Sequence, residues 1–191
     1  MTISDEGTVT TKKRIHAQKD ETARSVEVGV STFIGLGITP QSSAGVGVHS
    51  IYQSQIGDFQ GEFSLIPNQR YQNQGGIGAS LEVLNFQLQF CKHLERGVSR
   101  LGTCLGSFLT RLNGDGYQIA GSEETSDVSF GPQLEIHFSQ KWPKGFFWNF
   151  RLTGRGALGI QDFEVVGQSD VRFSPSKLSF LLGFGIGYFI F

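Results

Sequence analysis

The stretch Ser176 to Phe191 reads SKLSFLLGFGIGYFIF. Leu178, Phe180, Leu182, Phe184, Ile186, Tyr188 and Ile190 recur with the two-residue period of a strand, and Gly183, Gly185 and Gly187 fall on the opposite face. One face is bulky and apolar while the other is almost bare. A strand that closes a membrane barrel needs that arrangement, with bulk toward lipid and small residues within.

The same alternation runs backward through the chain. Phe146, Trp148, Phe150, Leu152 and Leu158 alternate with Asn149, Arg151, Thr153 and Arg155. Before them Val128, Phe130, Leu134, Ile136 and Phe138 alternate with Ser129, Gly131, Gln133, Glu135, His137 and Ser139, and Lys141 to Gly145 forms the turn between the two. Val98 to Leu112 puts Leu101, Leu105 and Leu109 on one face and Arg100, Gly102, Cys104, Gly106 and Thr110 on the other. Leu84, Phe86, Leu88 and Phe90 oppose Asn85, Gln87, Gln89, Cys91 and His93, with a tight turn at Glu95-Arg96-Gly97. Three earlier strands are expected at Ser25 to about Gly37, Ala44 to Gln55 and Phe59 to Ile66.

Long polar connections are expected at Pro67 to Gly76, Asn113 to Asp127 and Gln161 to Pro175, and short ones after strands two, four and six. Eight strands with loops long on one side and tight on the other describe an all-β, eight-stranded antiparallel up-and-down transmembrane β-barrel over residues 25–191. An even count puts both termini on the tight-turn, periplasmic side. Phe90, Phe138, Trp142, Phe146, Trp148, Tyr188 and Phe191 all fall near that side, where an interfacial aromatic girdle belongs.

The totals agree. A chain of 191 residues with 38% hydrophobic content and no apolar run of about eighteen has no transmembrane helix. Its 26 glycines and 17 phenylalanines against one methionine are a β composition. A net charge of −1 without a basic stripe argues against a nucleic-acid partner. Residues 1–24 are polar and aperiodic, and are expected to be a flexible leader. They lack the charged-then-apolar profile of a secretory signal, so the expectation is a mature or trimmed form.

The chain resembles the small eight-stranded outer-membrane β-barrels of Gram-negative bacteria, and more loosely the outer-membrane β-barrel domain proteins common in myxobacteria. The carriers are Phe189 and Phe191 at the end of the last strand, the paired alternating strands, and two cysteines flanking a periplasmic turn. The resemblance implies an outer-membrane location among its lipids, and a role for Phe189 and Phe191 as the signal read by the barrel assembly machinery. Two features depart from that pattern: Phe189 and Phe191 share parity with the glycines of the last strand, which calls for a bulge near the end or a last residue outside the lipid zone, and Pro132 sits inside a ladder, which a bulge or a place near the rim tolerates.

Cys91 and Cys104 lie on one face of adjacent strands at symmetric distances from a turn centred near Gly97 and Val98, so a cross-strand disulfide is favoured over a pair of free thiols. It fits an oxidising compartment. No CxxC spacing or histidine set points to a redox or metal role, and His49 and His93 read as single residues. Glu135, Arg151, Arg155 and Lys141 face inward on one hairpin, and a register centred on Pro143 sets Glu135 opposite Arg151. That network is expected to plug a barrel whose interior is only just filled by its own side chains.

His137-Phe138-Ser139 is similar to the His-x-Ser arrangement of the outer-membrane lipid A deacylases, but both residues point inward beside the periplasmic turn and no catalytic set is assembled. No cofactor is implied. Three readings remain: a non-enzymatic barrel that anchors or scaffolds, with a protein partner at its loops or leader; an outer-membrane lipid-modifying enzyme; and a soluble barrel holding a small apolar ligand. The polar row Asn85, Gln87, Gln89 opposes the last.

Overall fold

A computed structural model of the protein describes residues 25–72, 78–117, 125–159, 163–164, 172–173 and 175–190. The expected leader and Phe191 lie outside them. Ten strands are present among the described residues: β1 (Val26–Leu36), β2 (Ser43–Ser54), β3 (Gly57–Gln72), β4 (Gly78–Arg96), β5 (Ser99–Tyr117), β6 (Thr125–Lys141), β7 (Phe146–Gly156), β8 (Phe163–Glu164), β9 (Arg172–Phe173) and β10 (Leu178–Ile190). Eight of them close into one antiparallel barrel in the order β1-β10-β7-β6-β5-β4-β3-β2, and β8 and β9 pair separately. No helix among these residues is long and apolar enough to cross a membrane.

The final strand closes the ring, with Val26 opposite Ile190 and Leu36 opposite Phe180 on β1, and Leu178 opposite Gly156 on β7. Its glycines make room for their neighbours' long side chains. A Cβ on Gly185 would lie 2.6 Å from Asn149 Oδ1, and one on Gly187 only 2.4 Å from the Phe147 ring.

The surface is inverted relative to a soluble protein. Val30, Val48, Phe63, Leu88, Leu105, Leu134, Leu152, Phe184 and their neighbours stand exposed around the wall, while Glu27, Glu62, Gln89, Arg100, Glu135, Arg151 and Arg155 are buried inside. Such a belt is stable only against lipid. At the tight-turn end it is rimmed by aromatic contacts: Phe59 with Phe90, Phe138 with Trp148 and Phe146 with Tyr188, at centroid distances of 5.2–5.3 Å.

The tight turns are local chemistry. Gly97 and Val98 join Arg96 to Ser99, and Gly97 takes φ +63°, the left-handed conformation that a two-residue hairpin turn requires. Between β6 and β7 a short 3-10 turn, Pro143–Gly145, makes the connection.

Two expected loops prove to be largely strand. β3 continues through Pro67 to Gln72, absorbing it at an irregularity where Ile66 faces Val83 but Gln69 faces Leu81. β5 and β6 pair as far as Gly114 with Thr125, well inside the stretch expected to be a loop. β4 and β5 have 19 residues each, against roughly 9–11 needed to cross a bilayer. Strand that projects past the lipid has no reason to alternate apolar and polar residues, so periodicity could not reveal it.

Pro132 stands at the place where the β6–β7 ladder opens. Pairing ends at Gln133 with Arg155 and resumes only at the Phe130–Leu158 bridge, where both backbone hydrogen bonds form. By alternation, Pro132 should donate on the same side as Phe130, and it has no N–H to give.

Candidate functional site in the barrel interior

Three tiers of inward side chains line the barrel. At the tight-turn end, Arg100 of β5 gathers carboxylates from three elements. Its Nη1 donates to Glu27 Oε1 at 2.9 Å and lies 3.6 Å from Asp58 Oδ2, and its Nη2 is 2.7 Å from Glu95 Oε1. Gln53 also donates to Glu27. Phe147 and Phe189 meet at 5.4 Å beside this cluster, and Lys141 Nζ lies 5.1 Å from the Phe189 ring centre.

The middle tier is held across the lumen. Arg151 of β7 binds Glu62 of β3. Thr153 Oγ1 donates to Glu135 Oε2 at 2.9 Å. Arg155 spreads its guanidinium over neutral amides, donating to Gln87 Oε1 at 2.6 Å, Asn85 Oδ1 at 3.1 Å and Gln133 Oε1 at 3.2 Å, and it lies 5.0 Å from the Phe108 ring centre. Spaces of about 10 Å³ lie beside Arg151 on either side, about one water's space each, and a larger one of about 40 Å³ lies toward the loop end against Phe108, Thr110, Leu112 and Arg155.

The third tier, at the loop end, is apolar: Phe33, Ile66, Leu81, Val83, Leu112 and Leu181 form a buried cluster, with Ile38 and Ala79 against it. Alternation marks these positions as inward but does not tell an apolar tier from a polar one, so the sequence alone does not reveal the cluster.

The expected four-residue charge network therefore divides. Glu135 faces Thr153 in register, and His137 is the residue opposite Arg151. The 3-10 turn shifts the hairpin centre by one residue from Pro143 to Lys144, which moves every facing pair by two. Arg151 finds its carboxylate on the far wall instead, Arg155 takes amides, and half-exposed Lys141 lies 3.8 Å from Glu95 at the mouth. Cys91 and Cys104 face each other in register and are joined by a disulfide. β10 runs without a register shift, so Phe189 keeps the inward parity of the glycines.

His93 is not a single residue in space. It faces Gly102, which faces His137, and the bare glycine lets the two imidazoles meet over it, with Nε2 to Nε2 at 2.6 Å. A Cβ on Gly102 would lie 2.3 Å from His93 Cδ2 and 2.8 Å from His137 Cε1. His93 Nδ1 is 3.0 Å from Asp58 Oδ2, and His137 Nδ1 is 3.3 Å from Cys104 Sγ and 3.8 Å from Glu135 Oε1. The hairpin register could have given His93 opposite Gly102; the neighbouring pairing to His137 crosses a long connection that sequence does not measure. His137 thus turns its nitrogens to His93 and Cys104 and not to Ser139, so the His-x-Ser pair forms no hydrolytic couple.

Closed eight-stranded antiparallel topology with an apolar exterior and a charged interior defines the class: a small outer-membrane β-barrel. Solved structures agree in fold. OprG from Pseudomonas aeruginosa superposes with a TM-score of 0.62 at 12% identity, covering 88% of this chain and 96% of that one. Neisserial surface protein A gives 0.57 at 8% identity over 86% and 96%. Ail of Yersinia pestis, solved with the heparin analogue sucrose octasulfate, gives 0.53 at 11% identity over 87% and 97%. No family model matches the chain, and no curated protein matches it.

Proposed function

We propose that this protein is a non-enzymatic outer-membrane barrel that serves as an anchor and interaction scaffold, with its interior plugged by its own side chains. The supporting observation is the crowded lumen: an apolar cluster over a hydrogen-bonded charged tier stands where a pore or substrate pocket would be, beside spaces of about 10 to 40 Å³. Function then falls to the ends of the barrel, where composition is free to vary. By the usual sidedness of such barrels, residues 67–76, 113–127 and 161–175 face outside and residues 1–24 face the periplasm. Phe189 and Phe191 act as the signal to the assembly machinery.

The loop stretches indicate a kind of partner. They carry Asp115, Glu123, Glu124, Asp127, Asp162, Glu164 and Asp170 against Arg70 and Arg172. A sulfated polyanion, the ligand class seen on Ail, suits that charge poorly. A basic or neutral protein surface suits it well. Photo-crosslinking from positions 119 and 168 in intact cells tests the reading. One adduct of defined mass, lost when Glu123 and Glu124 become lysine, is the expected outcome; crosslinks to lipid alone overturn the scaffold role.

A further inference from the structure

The tight-turn end of the lumen holds a set of soft donors that the plug does not need. Cys91 Sγ, His93 and His137 bring donor atoms within 4.8 Å of one another, and so do Cys104 Sγ, Glu135 and His137. The two groups share His137. All of these side chains project from β4, β5 and β6 into one space, which Gly102 leaves open.

As two neutral imidazoles the histidine pair is unmatched. Asp58 accepts the Nδ1 proton of His93 at 3.0 Å, which leaves the His93 Nε2 lone pair facing His137 Nε2 at 2.6 Å. If His137 carries its proton on Nδ1, two lone pairs confront each other. If it carries it on Nε2, its bare Nδ1 faces Cys104 Sγ at 3.3 Å and the Glu135 carboxylate. Glu135 Oε1 is fully buried beside that nitrogen and accepts no hydrogen bond of normal geometry. A carboxylate behind one imidazole, a second within reach of the other, and Nε2 atoms converging on one point are the supports of a metal-bound histidine pair.

We propose that Cys91, Cys104, His93 and His137 form a site for a thiophilic divalent cation of the zinc class when the cysteines are in the dithiol state, and that the disulfide is the closed, metal-free form of the same site. Two thiolates and two imidazoles are a complete donor set for tetrahedral zinc. Opening the site breaks the Sγ–Sγ bond with two electrons and two protons from a dithiol reductant, which leaves as its own disulfide. Binding the cation releases both thiol protons to water, and the two thiolates neutralise its charge between Arg100 and Arg151. Asp58 and Glu135 orient the imidazoles and are positioning residues.

The test uses cobalt(II) as a spectroscopic probe of the full chain refolded from urea into detergent micelles, with or without a water-soluble phosphine, which reduces the disulfide and departs as its oxide. Folding is followed by heat-modifiable gel mobility. The expected result is one cobalt per reduced chain, with tetrahedral d–d bands and a sulfur-to-cobalt charge-transfer band that added zinc bleaches. The disulfide form takes up none. His93→Gln and Cys91→Ser, checked as folded, abolish those bands, and Asp58→Asn weakens cobalt binding by about 10–100-fold. A folded, reduced protein without the bands overturns the proposal, as do bands that persist in His93→Gln and His137→Gln. A reduced chain that refolds only with cobalt or zinc supports it, and one that refolds with neither overturns it.

Discussion

Glu62 of β3 and Arg151 of β7 stand on opposite walls of the barrel, four strands apart in either direction around the ring, and their side chains meet in the centre. Both are almost fully buried. This pair ties the two halves of the wall together across the lumen, at a level where no backbone hydrogen bond can.

Removing one partner leaves the other charged in a low-dielectric interior, which costs about 3–5 kcal/mol. Arg151→Met should destabilise the barrel by that amount, and adding Glu62→Leu should recover most of the loss. Urea unfolding in detergent micelles, followed by the fluorescence of Trp142 and Trp148, gives both values.

The exterior belt should be depth-sensitive. Leu134 lies in the middle of β6, more than half exposed toward lipid, whereas Leu94 lies beside the tight turn and is 79% exposed. Leu134→Arg should cost about 2–4 kcal/mol in a lipid bilayer and Leu94→Arg about 0–1 kcal/mol. Equal costs in refolding titrations into vesicles would place the membrane elsewhere on the barrel.

The Cys91–Cys104 bond closes a short loop within one hairpin, with a sequence separation of 13. In the chain-entropy model a loop of that size is worth about 3 kcal/mol. Cys91→Ala with Cys104→Ala should lower the unfolding free energy by about that much, because the fold is otherwise made by the strand ladders. Unfolding under non-reducing conditions, compared with the parent, measures the difference.

On the proposed plug, from Arg100 at one end to Leu112 and Leu181 at the other, the lumen holds no continuous water path. Purified protein in a planar bilayer should show no channel steps. Phe33→Ala alone should leave it silent, because on the same proposal the tier of Arg151, Glu62 and Arg155 remains beneath the apolar cluster. Regular steps from the parent protein would dismiss the plug.

What the sequence by itself determined is what a period of two can carry. The alternation in SFLLGFGIGYFI, and its echo in Leu84 to Phe90 and Phe130 to Phe138, decides which face meets lipid, because neighbouring residues on a strand must point to opposite sides. From that came the strand count, the barrel, the short-turn end, and the facing of Cys91 and Cys104 across a two-residue turn. Only the tertiary structure decided which inward side chains meet. Closing the ring fixes a stagger between strands, and that stagger brings Arg151 to Glu62 and His93 to His137 across connections whose geometry no local pattern records. It also decided where the strands end, because Gln69 to Gln72 and Asn113 to Tyr117 belong to β3 and β5 although their sequence lacks the alternation by which a strand is recognised.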